Sequence, residues 1–291
     1  MQESLTDVTL TQKVKAESQQ IYDLLIKPLE VDLNQNKIKT LVFILDGRLR
    51  NIPMSVLYDK KQDKFLFEKY ALVLTPGLQL VNPEVLQNIK IKALVAGLSE
   101  KRVIENQVFS ALNNVPNELQ NILKQVPKAE KLFNDDFTDN NLKKKLQKIY
   151  FSIVHLATHG EFSSEADKTF IVTWNRLLKV KEFDILLRNS DEKTSKSLEL
   201  LVLSACKTAK SDKYAALGLA GVAVRAGARS TLATLWSVDD KSVVDLMLEF
   251  YKELKPGVNK AEALQKAQIA IFSHEKRPYF WAPFVLLGNW L

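Results

Sequence analysis

The 291-residue chain holds one cysteine, Cys206. A lone cysteine excludes an intramolecular disulfide framework and fits a reducing, cytoplasmic setting. Uninterrupted apolar runs of ~18 residues are missing, so no membrane span is expected. The opening stretch, MQESLTDVTLTQKVKAESQQ, lacks a basic start followed by an apolar core, so no secretory signal is visible. Neither G-x-x-x-x-G-K-[ST] nor G-x-G-x-x-G occurs, which removes the common phosphate-cradling loops. G-x-S-x-G is also missing, and with it the serine-hydrolase elbow. One cysteine and three scattered histidines supply no structural zinc site. No metal and no cofactor are therefore expected.

What is present is an ordinary globular composition, 46% apolar and 26% charged, with a net charge of +7. A compact chain of this length buries roughly 75% of its unfolded surface and needs no staples. Its basic residues cluster at 143–145 with Lys148, and at Lys90/Lys92 near Lys101/Arg102. LKKKLQK reads as the solvated face of a helix. Nucleic-acid binding calls for basic residues interleaved with exposed aromatics or a known motif, and neither is found.

Hydrophobic patterning predicts a helix over 12–30, with Val14, Ser18, Ile21, Leu24 and Leu25 on its face and Pro28 near its end. TLVFILDG (40–47) reads as a strand with a turn behind it, and FLFEKYALVLTPG (65–77) as one or two strands. IKALVAGLS (91–99) is a buried strand, followed by a loop and a helix around 116–126. KIYFSIVHLATHG (148–160) and TFIVTW (169–174) are strands, and RLLKVKEFDILLRN is helical or mixed. NSDEKTSKS (189–197) reads as a loop, LELLVLSA (198–205) as a strand, and ALGLAGVAVRAGA (216–228) as a small-residue helix. RSTLATLW (229–236) is a strand, 239–257 and 259–272 are helices, and PFVLLG (283–288) is the last strand. From residue 91 on, continuously apolar strands alternate with helices. That pattern predicts an α/β fold, a mostly parallel sheet covered by helices on both faces. In such sheets, chemistry sits beyond the carboxyl ends of the strands.

Two of those ends carry reactive side chains. HLATHG holds His155 inside the strand and His159 at its tip if the strand stops near Leu156. LSACKT holds Cys206. Taken singly, Cys206 reads as a small buried hydrophobe and His159 as a satisfied polar group. Together at one sheet edge they are the minimum equipment for thiol acyl transfer. A free thiol has a pKa of about 8.5 and needs a nearby base, which an imidazole supplies. His159 precedes Cys206 by 47 residues, in the order and near the spacing of caspases, whereas S-A-C-K-T departs from their Q-A-C-[RQG]-G pattern.

VHLATHGEF, LVLSACKTA, GLAGVAVRAGARSTLATLWSVDD and PYFWAPFVLLG resemble, in that order, the successive motifs of CHAT domains. These are caspase-like modules, related more distantly to separase and often found behind tetratricopeptide repeats. TLVFILDGRLRNIPMSVLYD is similar to the family's early strand and Leu-Pro segment. The resemblance implies an N-terminal accessory part over 1–90 and a caspase-like core over 91–291. It implies a cysteine endopeptidase with a His159–Cys206 dyad acting on a protein substrate. The backbone N–H groups of Gly160 and Cys206 would form its oxyanion hole, and His155 would be structural. Similar enzymes place an acidic residue near LWSVDD to receive Arg or Lys, which assigns a basic-residue pocket to Asp239, Asp240 and Trp236. Asp239 also reads as a helix N-cap, Trp236 as core, and Asp46, a weaker acidic candidate, as a turn residue. Trp281 and Phe280 read as packing residues. Lys207 stands where the family typically has Glu. Two readings stay open: a peptidase whose activity depends on a partner or a further domain, such as tetratricopeptide repeats or another regulatory protein, and an interaction scaffold with a dormant dyad.

Overall fold

The computed structural model describes residues 2–77, 91–163, 165–183, 185–187, 197–208, 227–236, 238, 240–255 and 258–291, with the backbone alone at 2, 3, 48, 51, 166, 205–208 and 240. Ten strands form one sheet. In chain order they are β1 (Thr40–Phe43), β2 (Ala71–Leu74), β3 (Ala93–Gly97), β4 (Glu130–Phe133), β5 (Ile153–Phe162), β6 (Phe170–Val172), β7 (Leu177–Lys179), β8 (Leu200–Thr208), β9 (Ser230–Thr234) and β10 (Phe284–Gly288). Their spatial order is β1-β2-β10-β9-β8-β5-β3-β4, and β6 with β7 continues the sheet beside the far end of β5. The β9–β10, β5–β6 and β6–β7 pairs are antiparallel and the other pairs are parallel. The mostly parallel α/β sheet expected from the strand pattern is thus present.

Both faces of the central strands are buried, which is why their sequences run apolar without alternating. Val95, Ile153, Val202 and Leu232 face one core, closed by α3 (Val115–Gln125), α5 (Asp240–Glu253) and α6 (Lys260–His274) through Leu119, Ile122, Leu246, Phe250 and Leu264. Their neighbours Leu94, Val154, Leu201 and Leu203 face the other, where α4 (Asp139–Lys148) contributes Leu142 and Leu146. The lysines of LKKKLQK lie on α4, and Lys145 pairs with Glu130 of β4 at 2.6 Å.

Three segments differ from the sequence expectation. The 12–30 helix is broken: α1 (Thr11–Leu25) ends before a 3₁₀ turn over Lys27–Leu29, and α2 (Glu30–Gln35) follows. Pro28 has no N–H to continue an α-helical ladder. The buried face of α1 is Val14, Ser18 and Tyr22, at i,i+4 spacing, and Leu24 is 74% exposed. Within 65–77 a helical turn, Leu66–Lys69, separates a two-residue strand from β2, started by the Glu68 carboxylate accepting from the Phe65 N–H at 2.8 Å. The loop after residue 99 contains a hairpin, Arg102–Ile104 with Gln107–Phe109. Its turn residues Glu105 and Asn106 have φ of 50° and 61°, the left-handed pair that a two-residue turn needs. The loop at 189–196 and the helix expected from residue 216 to 226 lie outside the described residues.

The N-terminal part supplies β1 and β2 to the sheet's edge, and α1 packs over it through a buried polar cluster. Lys69 Nζ donates to Asp59 Oδ2 at 3.0 Å, Glu30 Oε1 at 3.2 Å and Tyr22 Oη at 3.0 Å. Burial pushes the Asp59 carboxyl up, but the hydrogen bond and charge of Lys69, with the Gln62 N–H and Tyr22, hold it below the ordinary value. Burial pulls the Lys69 ammonium down, and Asp59 and Glu30 more than offset this, so it sits above its ordinary value. The Asp59 share of stability is therefore present above about pH 4 and lost as the pH falls through the folded value. The Lys69 share is present below about pH 10.5 and lost as the pH rises through its folded value. Lys69→Met should cost about 2 kcal/mol at pH 7, below the ~3–5 of a fully buried pair because solvent still reaches Glu30. Urea unfolding at stepped pH checks this: the gap between the two proteins should close as the pH falls through the lowered folded value of Asp59.

Candidate active site

The site is built on the neighbouring strands β5 and β8. Their parallel register runs Leu200↔Ile153 to Leu203↔Leu156 and resumes at Ala205↔His159, Cys206↔Gly160, Lys207↔Glu161 and Thr208↔Phe162. Between the two stretches β5 advances three residues and β8 two, a bulge in β5 at Ala157–Thr158. β5 therefore does not stop near Leu156: it runs through His159 and Gly160 to Phe162, and the Thr158 hydroxyl donates to Val172 O of β6 at 2.7 Å. Regular alternation would give His155 and His159 the same surroundings. A bulge re-aims the side chains beyond it, and the two rings meet different neighbours.

His159 Nε2 lies 2.7 Å from the Ser110 carbonyl oxygen. A carbonyl only accepts, so Nε2 carries the proton and the lone pair of the neutral ring resides on Nδ1. The Phe109 ring lies 5.7 Å from the imidazole, centroid to centroid. Phe109 and Ser110 are the end of the 102–109 hairpin and the residue after it, so that hairpin carries the histidine's orienting group. Arg102 stacks on Trp174, its guanidinium carbon 3.7 Å from the ring centre, and anchors the hairpin's other strand. Backbone acceptors leave no mark in sequence. The alternating RVI and QVF around Glu-Asn were the available signal, weaker than Asn-Gly or Asp-Gly.

His155 is fully buried and part of a polar chain. Its Nε2 is 3.0 Å from Glu118 Oε1, and its Nδ1 is 3.1 Å from Tyr251 Oη. The Ser204 hydroxyl donates to the same Glu118 oxygen. Burial, and then the charge of Glu118, push the Tyr251 phenol well above its ordinary value, so it remains a donor. Among the described residues no three His, Cys, Asp or Glu side chains converge as metal ligands, and no helix is long and apolar enough to cross a membrane.

The register brings Cys206 and His159 to adjacent strands one step apart. With strands about 4.8 Å apart, their backbones are close neighbours. The side chains of Cys206 and Asp240, and all of Asp239, lie outside the described residues; the Asp240 backbone opens α5. Gly160 is buried between Cys206 of β8 and Ile171 of β6. Trp236 is half-buried against both cores, and its indole N–H donates to Tyr279 O at 3.2 Å. Asp46 caps the 3₁₀ turn Gly47–Asn51 and pairs with Arg50 at 3.1 Å. Sequence reasoning did not find Ser110, Glu118, Ser204 or Tyr251.

The profile of the CHAT domain family matches residues 15–289. Human tetratricopeptide repeat protein 28 is 22% identical over 92% of this chain, which spans 13% of that protein's length. Among solved structures, separase in the Saccharomyces cerevisiae separase–securin complex aligns over 86% of this chain and 15% of its own, at 15% identity and a TM-score of 0.57. The Arg-specific cysteine proteinase gingipain R aligns over 76% of this chain and 54% of its own, at 10% identity and a TM-score of 0.50. At these identities the structural likeness establishes the caspase-like fold.

Proposed function

Because the chain belongs to the CHAT domain family, we propose that it is a caspase-like cysteine endopeptidase whose His159–Cys206 dyad cleaves a protein partner. One observation carries the reading: the β5–β8 ladder sets Ala205 opposite His159 and Cys206 opposite Gly160, while Ser110 O holds the proton of His159 on Nε2. The nitrogen that would take the thiol proton is thereby Nδ1.

In the reaction, Cys206 Sγ attacks the scissile carbonyl carbon as its proton passes to His159 Nδ1. The carbonyl π pair moves onto oxygen, and the N–H groups of Cys206 and Gly160 stabilise the charge. Both N–H groups belong to register partners in the sheet, so they serve a substrate carbonyl only where the ladder opens to admit it. When the oxyanion collapses, the C–N bond breaks and the His159 proton goes to the leaving amine. Water, deprotonated by Nδ1, then attacks the thioester and releases the acid and the thiol.

Cleavage after Arg or Lys, with Asp239, Asp240 and Trp236 forming the pocket, is the specificity we assign. Asp240 at the start of α5 also suits the helix dipole. A cytoplasmic protein substrate fits the lone cysteine. The relative built with tetratricopeptide repeats and the neighbour solved with securin support a regulatory protein partner. A second reading, a scaffold with a dormant dyad, draws on the continued pairing past the dyad at Lys207↔Glu161 and Thr208↔Phe162. Profiling on a peptide library separates the two. The peptidase reading expects cleavage enriched after Arg and Lys that is sensitive to thiol alkylation. A library left intact by the chain, alone and with its partner, favours the scaffold.

A further inference from the structure

Glu118 is a charged side chain only 2% exposed, and the chemistry of the dyad makes no use of it. Its Oε1 atom is approached by two groups from different strands: His155 Nε2 of β5 at 3.0 Å and the Ser204 hydroxyl of β8. Tyr251 of α5 extends the chain to His155 Nδ1 at 3.1 Å. The polarity runs one way throughout, from the Tyr251 O–H to Nδ1 and from Nε2–H to the carboxylate, where Ser204 also donates. Glu118, His155, Ser204 and Tyr251 are all buried. Burying a carboxylate is unfavourable unless hydrogen bonds satisfy it, and here His155 and Ser204 supply them.

The positions of these residues in the chain give the cluster its consequence. Ser204 is two residues before Cys206, and His155 four before His159. Glu118 sits in the first turn of α3, where the helix dipole favours an anion and its own N–H bonds Asn114 O at 3.0 Å. Four residues before Asn114, the residue that precedes α3, is Ser110, whose carbonyl orients His159. The same turn is seated tightly on β3: a Cβ built on Gly97 would come 2.6 Å from Val115 Cγ1 and 2.9 Å from Leu119 Cδ1. The lead-in is tied as well, with the Leu112 N–H donating to Ser99 O at 2.9 Å.

We infer that Glu118 is a positioning residue for the dyad. It bolts the first turn of α3 to both reactive strands, and so sets the Ser110 carbonyl against His159 at the register where Cys206 emerges. The inference rests on the peptidase reading for its purpose, but its geometry is measurable without turnover.

Ring ¹⁵N shifts of the labelled protein, in which three histidines make assignment tractable, report the His159 tautomer. Alkylation of Cys206 by iodoacetamide at pH 7 reports the thiol. Read in a Cys206→Ala background, where no thiol proton reaches Nδ1, His159 should be held as the neutral Nε2–H form. Glu118→Ala should convert it to a tautomer mixture and slow alkylation about tenfold, the scale of a sub-ångström misplacement relayed from a distance. Ser204→Ala should act in the same direction more weakly, and Glu118→Gln, which keeps the accepting oxygen, should restore both readouts. Leu146→Ala, on the sheet's other face, controls for lost stability and should change neither readout. If Glu118→Ala does not fold, Ser204→Ala and Glu118→Gln carry the comparison. Folded Glu118→Ala or Ser204→Ala proteins that keep the Nε2–H tautomer and the wild-type alkylation rate overturn the inference. A wild type that cleaves no peptide counts against the proposed function, and the tautomer result still stands or falls by itself.

Discussion

Cys206→Ala should lower kcat/KM for any peptide the chain cleaves by ~10³-fold or more, and His159→Ala should do the same. The size follows from the division of labour. Without the sulfur there is no covalent intermediate, and without the imidazole the thiol must lose its proton to water. The double variant should be no worse than either single one, because the two groups perform one proton-coupled attack. Losses that multiply in the double variant would mean that sulfur and ring act separately, and the register of β5 against β8 would then have nothing to do with the chemistry. Circular dichroism should show all three variants folded, since His159 is half-buried at a sheet end.

Trp281→Ala should cost about 3–5 kcal/mol and leave the chemistry of the surviving folded fraction intact. The indole is fully buried and joins three parts of the chain. Its centroid lies 5.0 Å from Phe65 and 4.4 Å from Phe67 in the N-terminal part, and 5.5 Å from Phe272 in α6. Its carbonyl accepts from Gln268 Nε2 at 3.0 Å. Removing the ring empties the centre of that cluster and loosens the seat of β2 beside β10. A urea midpoint within error of wild type would show that the N-terminal part is held by other contacts, the Lys69 cluster foremost.

Much of this architecture was legible in the sequence because parallel strands buried on both faces read as continuous apolar runs. IKALVAG, FSIVHLA, LELLVL and STLAT all announced themselves that way, and the mostly parallel sheet followed. Shorter elements did not. Leu66–Lys69 is a single helical turn inside an apolar stretch, and its cause, the Glu68 carboxylate on the Phe65 N–H, is one hydrogen bond. The 102–109 hairpin turns on Glu-Asn rather than a glycine pair. On β5, a one-residue bulge carries the strand past Leu156 and separates the surroundings of two histidines that periodicity alone makes equivalent. At the site, side-chain motifs pointed to His159 and Cys206, whereas the carbonyl of Ser110 is invisible to any reading of residue types. Glu118 was hidden differently: in VPNELQNILK it looks like an ordinary first-turn acid of an amphipathic helix, and only the packing of α3 against β3 and β5 turns it inward. His155 was read as structural from the resemblance alone; its full burial between Glu118 and Tyr251 was not visible in the sequence.

The central claim is that Cys206 and His159 share a proton, and the pH dependence of Cys206 alkylation tests it most directly. In wild type the rate should reach its plateau well below the ~8.5 of a free thiol, and in His159→Ala the profile should return to about that value. Superimposable profiles in the two proteins would contradict the account.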